Sequence, residues 1–270
     1  MEKIGKNHDA YKKIKDVIKT NKYPKLTIAD DIQILKIIID KKLNIDTLLY
    51  CFDVEYKNET KKLLDELIML SNNTYEISKS TYEGLSLKEN HVGIIAAVNI
   101  LNYTIKDFEN KEFLFVLDRL EIPGNVGTIY RTLDSINADG VILVDSVSKI
   151  HNPKITTSSR GCNLIVPTIS LSYDEAQDFL IKNGYDIYLG EPELGSDYQS
   201  YDYNKKIAIV VGNERFGINE NWYNKPHKKV YIPMEGNQNS LNVGVALSIL
   251  AYEAYMKRKW ASKKLKYAVC

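Results

Sequence analysis

Hydrophobic positions along the chain form two kinds of run, and the kind changes a little after residue 100. In the first part the runs are mixed. Ile4, Tyr11, Ile14, Val17 and Ile18 recur at near-helical spacing on a lysine-rich background. This predicts a surface helix over residues 2–20, ending near the Asn21–Pro24 turn. Ala29–Lys41 reads as a second amphipathic helix and Thr60–Met69 as a third. Thr47–Phe52, Tyr75–Ser78 and Val92–Asn99 read as strands. Strands alternating with helices over roughly eighty residues imply an α/β layer structure.

Beyond Phe113 the apolar runs are continuous: FLFVLD (113–118), VILVD (141–145), DIYLG (186–190) and IAIVVG (207–212). Unbroken β-branched runs suit a parallel sheet covered on both faces. The polar stretch Asn102–Lys111 separates the two halves, giving expected domains of residues 1–105 and 106–270. Ligands of parallel sheets bind beyond the carboxyl ends of the strands. Here those ends lead into LEIPGNVG, GEPELGS and GNERFG.

Composition narrows the function classes. The hydrophobic fraction of 44% is that of a globular protein. Basic residues number 36 and acidic 35, so net charge gives no sign of nucleic acid. Their distribution is less even: residues 1–25 hold eight lysines, and the stretch from Met256 adds Lys257, Arg258, Lys259, Lys263, Lys264 and Lys266. Such ends suit phosphate contact or a plain solvated helix face. Three cysteines, Cys51, Cys162 and Cys270, form no CxxC pair, as expected in a reducing cytosol. The four histidines show no metal-ligand spacing, so no metal is expected. The charged start MEKIGKNHDA is unlike a signal peptide, and no apolar run is long enough for a membrane span. A cytoplasmic protein is expected.

Three segments carry candidate chemistry. In PGNVGTIYRT (123–132), Gly124 and Gly127 permit a tight turn before a helix whose N-terminus favours an anion, with Arg131 further along it. A simple Gly-rich turn accounts for the same residues. Neither GxGxxG nor GxxxxGK[ST] is present, so dinucleotide and P-loop folds are unsupported. GNERFG (212–217) sets Glu214 at the end of an apolar strand, as a cap or as an orienting carboxylate. In IPMEGNQNSLNVGVA (232–246), Ser240 or Asn242 is suited to cap the apolar helix Val243–Tyr255, and the polar run before it suits a backbone-lined pocket.

Taken together and in this order, the three segments resemble the SPOUT class of RNA methyltransferases, in its ribose 2′-O-methylating branch. The matching patterns are N–x–G–x–x–x–R at Asn125, Gly127 and Arg131, G–x–E–x–x–G at Gly212, Glu214 and Gly217, and IPM…SLNV at Ile232–Met234 and Ser240–Val243. GNVGTIYRTLDSINADGVILVDS and SSRGCNLIVP (158–167) are most similar to the thiostrepton-resistance-type 23S ribosomal RNA methyltransferases. TIADDIQILKIIIDKKLNIDTLLY (27–50) is similar to that subgroup's ribosomal-protein-like RNA-binding domain.

The resemblance implies an α/β fold: a C-terminal SPOUT domain with a parallel sheet and deep trefoil knot, and an N-terminal ribosomal-protein-like α/β domain. It implies a homodimer and S-adenosylmethionine, held by Leu189, Gly190, Gly212, Asn213, Ile232, Met234, Ser240 and Leu241. Arg131, Asn125, Glu214, Ser240 and Asn242 become the catalytic set, and Arg131, Arg160 and Lys88 the RNA contacts. Guanidinium groups stay protonated near neutrality, so Arg131 is expected to clamp a phosphate and stabilise developing oxygen charge rather than act as a base. The basic turn of the family is thinned in Gly84–Gly93 to Lys88 and His91. A transfer-RNA target and a non-catalytic RNA-binding homologue therefore stay open, as does thiopeptide resistance.

Overall fold

A computed structural model describes residues 1–20, 22–86 and 92–268, with side chains described up to residue 260. The chain divides into two compact units, Met1–Leu101 with Ile150–Ile165, and Asn102–Lys149 with Val166–Cys270.

The first unit is a five-stranded mixed sheet with helices on both faces. Its elements are β1 (Glu2–Lys3), α1 (Asp9–Lys19), β2 (Leu26–Ala29), α2 (Ile32–Asp40), β3 (Ile45–Cys51), α3 (Asn58–Met69), β4 (Thr74–Ile77), α4 (Lys79–Glu83) and β5 (Ile94–Asn99). The strand order is β1-β4-β3-β5-β2, with β5 antiparallel to both neighbours. Alternation along β3 and β5 supplies two cores. Leu48, Ile94, Ala96 and Val98 meet α2 and α3, while Leu49, Cys51, Ile95 and Ala97 meet α1 and α4. The expected helix over residues 2–20 is shorter, because Glu2 and Lys3 pair with β4 and His8 caps the helix start. Ala29 belongs to β2, not to the helix that follows; Asp31 caps that helix.

The first unit also takes a segment from far along the chain. Ile150–Ile165, containing α6 (Pro153–Ser158), lies between two strands of the second sheet but packs on the first unit. Leu164 enters the α2–α3 core. Thr156 meets Thr27 at 2.7 Å, both fully buried, and Asn163 donates to Thr156 at 3.1 Å. The expected division near residue 105 thus omits this segment, because polar contacts between positions so distant in sequence leave no local pattern.

The second unit is a seven-stranded, all-parallel sheet. It comprises β6 (Phe113–Asp118), α5 (Pro123–Ser135), β7 (Gly140–Val144), β8 (Thr168–Leu171), α7 (Tyr173–Lys182), β9 (Asp186–Glu191), β10 (Ser196–Asp197), β11 (Ile207–Val211), β12 (Lys228–Tyr231) and α8 (Val243–Ala268). The order is β10-β12-β9-β11-β6-β7-β8. Every residue of β6, β7 and β11 is buried, which is why these strands read as continuous apolar runs. One face packs Leu114, Val116, Ile142 and Val210 against Phe179 and Leu180 of α7. α5 and α8 lie side by side, and α8 also contacts β9 and β11. Their crossing is close because Gly244 faces Thr128, and Thr132 bonds Ser248 at 2.7 Å. Among the described residues no helix is long and apolar enough to cross a membrane.

Candidate active site

The carboxyl ends of β9, β11 and β12 and the starts of α5 and α8 surround a cleft of about 470 Å³. This lies within the range of about 300–1,000 Å³ usual for small-molecule sites. Its walls combine apolar side chains (Val230, Ile232, Met234, Leu241) with three glycines, Gly190, Gly212 and Gly217. Glu191, Glu214 and Arg215 are its charged residues.

The loop after β11 has a shape that its sequence dictates. Asn213 and Gly217 exchange two backbone hydrogen bonds of 2.9 Å, folding the chain back on itself. A Cβ on Gly212 would lie 2.2 Å from the Gly217 carbonyl carbon, and Gly217 itself has φ +67°. Both glycines of the G–x–E–x–x–G pattern are therefore required by backbone geometry. The Asn213 side chain accepts from the amides of Arg215 and Phe216 at 2.9 and 3.1 Å, closing the turn.

Glu214 leaves this loop toward the start of α5. Its carboxylate accepts from the amides of Glu121 and Ile122, at 3.3 and 3.2 Å, and from Asn125 Nδ2 at 3.0 Å. The Asn125 Oδ1 atom in turn accepts from Asn242 Nδ2 at 3.0 Å. Asn242 also caps α8, its Oδ1 accepting from the amides of Gly244 and Val245 at 3.0 and 3.4 Å. Asn242, Asn125 and Glu214, drawn from the three motifs, thus form one continuous chain of hydrogen bonds beside the cleft.

The expected residues divide into four groups. Asn125, Gly190, Gly212, Asn213, Glu214, Ile232, Met234, Ser240, Leu241 and Asn242 all line the cleft. Leu189 does not: its side chain is in the α7 core and its backbone lies in register between β11 and β12. Arg131 is not on the wall either; it is exposed on α5, as are Gly124, Thr128 and Ser135. Its guanidinium makes no hydrogen bond or ion pair among the described residues. Arg160 belongs to the first unit, where it has a left-handed backbone (φ 53°) and donates to Gln33 at 3.3 Å. Lys88 lies outside the described residues. Ser240 lines the cleft but does not cap α8; Asn242 does so.

Sequence reading missed Ile122, Glu191, Pro192 and Arg215 on the wall. Glu191 and Pro192 begin the loop after DIYLG, so the rule of carboxyl strand ends points to them. Glu191 is held by the hydroxyl of Tyr223, whose phenol is pushed up by burial and by that carboxylate.

Residues 112–252 match the model of the SpoU rRNA Methylase family. The chain belongs to the SpoU rRNA Methylase family. A putative TrmH family tRNA/rRNA methyltransferase of Staphylococcus saprophyticus is 31% identical over 219 residues, 76% of this chain and 87% of that protein. The 23S rRNA (guanosine(2553)-2′-O)-methyltransferase RlmP of Bacillus subtilis is 32% identical over 139 residues, 52% of this chain and 56% of RlmP. The match thus spans little more than half of RlmP's length.

Among solved structures, the AdoMet-bound rRNA methyltransferase of Sinorhizobium meliloti aligns with TM-score 0.83 at 20% identity, covering 94% of this chain and 97% of that one. The SpoU methyltransferase AviRb of Streptomyces viridochromogenes aligns with TM-score 0.80 at 21% identity, covering 94% and 99%. These likenesses establish a shared fold over nearly the whole chain. The expected SPOUT-class membership and α/β architecture with a parallel sheet are thereby borne out.

Proposed function

We propose that this SpoU family member transfers a methyl group from S-adenosylmethionine to a ribose 2′-hydroxyl of RNA, with 23S ribosomal RNA as the favoured substrate. The observation that carries the reading is the hydrogen-bonded run Asn242–Asn125–Glu214 at the wall of a glycine-lined cleft. It joins all three motifs at one place. The relatives named for RNA methylation give the substrate class.

The cleft suits the cofactor in size and lining. Apolar walls at Val230, Ile232, Met234 and Leu241 match an adenosine face, and glycines in the wall allow a ligand to approach the backbone closely. Bound there, S-adenosylmethionine supplies an electrophilic methyl on a sulfonium, so the chain's own task is to position and neutralise. Glu214 fixes the loop Gly212–Gly217 against the start of α5, and Asn125 transmits that position to α8 through Asn242. Arg131 stands outside the cleft with its guanidinium unengaged, ready to take an RNA phosphate and the charge developing on the 2′-oxygen. Orientation of this kind is worth about 7–11 kcal/mol for well-held reactants.

The first unit is read as the RNA-recognition domain, with Arg160 among its phosphate contacts. Its N-terminal lysines are partly spent within the fold: Lys12 pairs with Asp9, Lys13 with Asp46 and Lys22 with Asp16. Recognition by this unit therefore relies less on net charge than the lysine count suggests. The second unit is read as trefoil-knotted, which the family likeness supports. A homodimer is part of the proposal because α8 exposes Val245, Tyr252, Met256 and Trp260 along one face. A cytoplasmic location is part of the same reading.

The test is incubation with methyl-labelled S-adenosylmethionine and, separately, 23S ribosomal RNA and bulk transfer RNA, followed by mapping of the label. Label at a 2′-oxygen of 23S RNA is expected. Label in transfer RNA alone replaces the substrate, and cofactor binding without label in either RNA rejects methyl transfer to both. Thiopeptide susceptibility of cells expressing the chain decides whether the modification confers resistance.

A further inference from the structure

We propose that Asp118 and Arg119 are positioning residues that hold the cofactor loop Asn213–Gly217 in its binding shape. The inference rests on reading the cleft as the S-adenosylmethionine site. Both residues sit at the carboxyl end of β6, outside the motifs, and neither lines the cleft.

Arg119 grips the loop at both of its ends. Its backbone is left-handed (φ 56°), a conformation that side chains other than glycine seldom adopt. That turn aims its carbonyl at Asn213, whose Nδ2 donates to it at 2.8 Å. The guanidinium reaches the other end, Nη2 donating to the Gly217 carbonyl at 3.3 Å. Asn213 and Gly217 are the pair whose mutual backbone bonds close the loop.

Asp118 fixes the arginine and the outgoing chain together. It is 1% exposed, with Oδ1 3.3 Å from Arg119 Nε and Oδ2 accepting from the Asn219 amide at 2.6 Å. Next along the same segment, Glu121 Oε1 accepts from Asn213 at 3.1 Å, and the Glu121 and Ile122 amides hold Glu214. Asp118–Ile122 is thus a template that holds Asn213, Glu214, Gly217 and Asn219 of the loop in place. A buried ion pair is a weak source of stability but a good source of a unique geometry. Here the geometry it specifies is that of the loop presenting Asn213, Glu214 and Arg215 to the cleft.

The test uses the full chain and variants Arg119→Ala and Arg119→Lys. Calorimetric titration measures S-adenosylmethionine and S-adenosylhomocysteine binding, with circular dichroism and melting curves as controls. Arg119→Ala is expected to raise Kd about tenfold, the effect of one lost hydrogen bond to a charged group. Lysine, lacking the planar fork, restores it only in part. Methylguanidinium added at millimolar concentration is expected to recover affinity in Arg119→Ala and leave the wild type unchanged. The KM for the cofactor rises by more than kcat falls. Unchanged Kd in a folded Arg119→Ala, or loss of affinity with no rescue, overturns the proposal. If Arg119→Ala does not fold, an unchanged Kd in Arg119→Lys overturns it in the same way. A wild type that binds neither ligand overturns the reading of the cleft and this inference with it.

Discussion

Asn125 and Glu214 are joined by a hydrogen bond of 3.0 Å that fixes the orientation of both side-chain amides in the run Asn242–Asn125–Glu214. An ionised carboxylate only accepts, so Asn125 must turn its Nδ2 toward Glu214. That leaves Oδ1 for Asn242, whose own oxygen is engaged by the α8 amides and whose nitrogen must therefore donate. Each side chain has one way to lie, set by its neighbour. The helix cap, the α5 turn and the loop after β11 are consequently one mechanical unit.

Asn242 separates helix capping from catalysis. Asn242→Ala removes the cap and the donor to Asn125 together, with an expected loss of about 1 kcal/mol in stability and a fall in methyl transfer. Asn242→Asp keeps the cap acceptor but presents no donor to Asn125. Its melting temperature is expected to stay near the wild type while methyl transfer falls at least tenfold. Ser240→Ala is expected to leave melting unchanged, since Ser240 does not cap α8. Thermal melts beside an initial-rate assay decide the matter, and equal activity in Asn242→Asp and wild type rejects the relay.

Arg131 is expected to separate binding from transfer. It is exposed on α5 and stands off the cleft wall. Arg131→Ala should therefore bind S-adenosylmethionine with wild-type affinity by calorimetry and give no labelled RNA. Arg131→Lys should recover little, because lysine cannot offer a phosphate two parallel donors. Methylation by Arg131→Ala at near wild-type rate contradicts the clamp.

Legibility in the sequence follows from how each element is buried. β6 and β11 read almost residue for residue because both of their faces are covered and apolar. β12 (KKVY) and β8 (TISL) did not: Lys228 in β12 is polar because it pairs with Asp186 of β9, a choice made by tertiary contact. β2 (LTIA) is not read as a strand, and its last residue, Ala29, falls in the expected helix Ala29–Lys41, because so short a run takes its identity from pairing with β5. The site was legible as three motifs. The bond from Asn242 to Asn125, 117 residues apart, was not, and the placement of Arg160 depends on a buried polar network equally remote in sequence.

Asp118 gives a pH dependence of definite sign. Burial pushes its carboxyl above the usual 3.8, outweighing the Asn219 amide and the Arg119 guanidinium, which pull it down. Above pH 3.8 and below the raised value, the folded chain binds a proton that the unfolded chain has released. Its contribution to stability is thus fully present below pH 3.8 and is lost as pH rises through the folded value. Asp118→Asn cannot titrate, so its melting temperature relative to wild type should climb between pH 4 and pH 7. A difference that is flat or falls with pH contradicts this account.

The exposed face of α8 tests the dimer. Val245 is 46% exposed, Tyr252 45%, Met256 42% and Trp260 61%, at spacings that keep them on one side of the helix. Lys257 and Arg258, by contrast, turn inward to the carbonyls of Gln199, Tyr201, Tyr203 and Lys205. Lys257 and Arg258 thus face their own unit while the apolar stripe is left uncovered, the reverse of the usual solvent face. A two-fold contact that sets this stripe against itself would cover it. Tyr252→Glu and Met256→Glu place like charges opposite each other in such a contact. Light scattering after gel filtration is expected to give twice the 30.9 kDa chain mass for wild type and the single mass for the double variant. A wild type that elutes as a monomer at micromolar concentration removes the dimer from the proposal, and a double variant that stays dimeric moves the contact to another face.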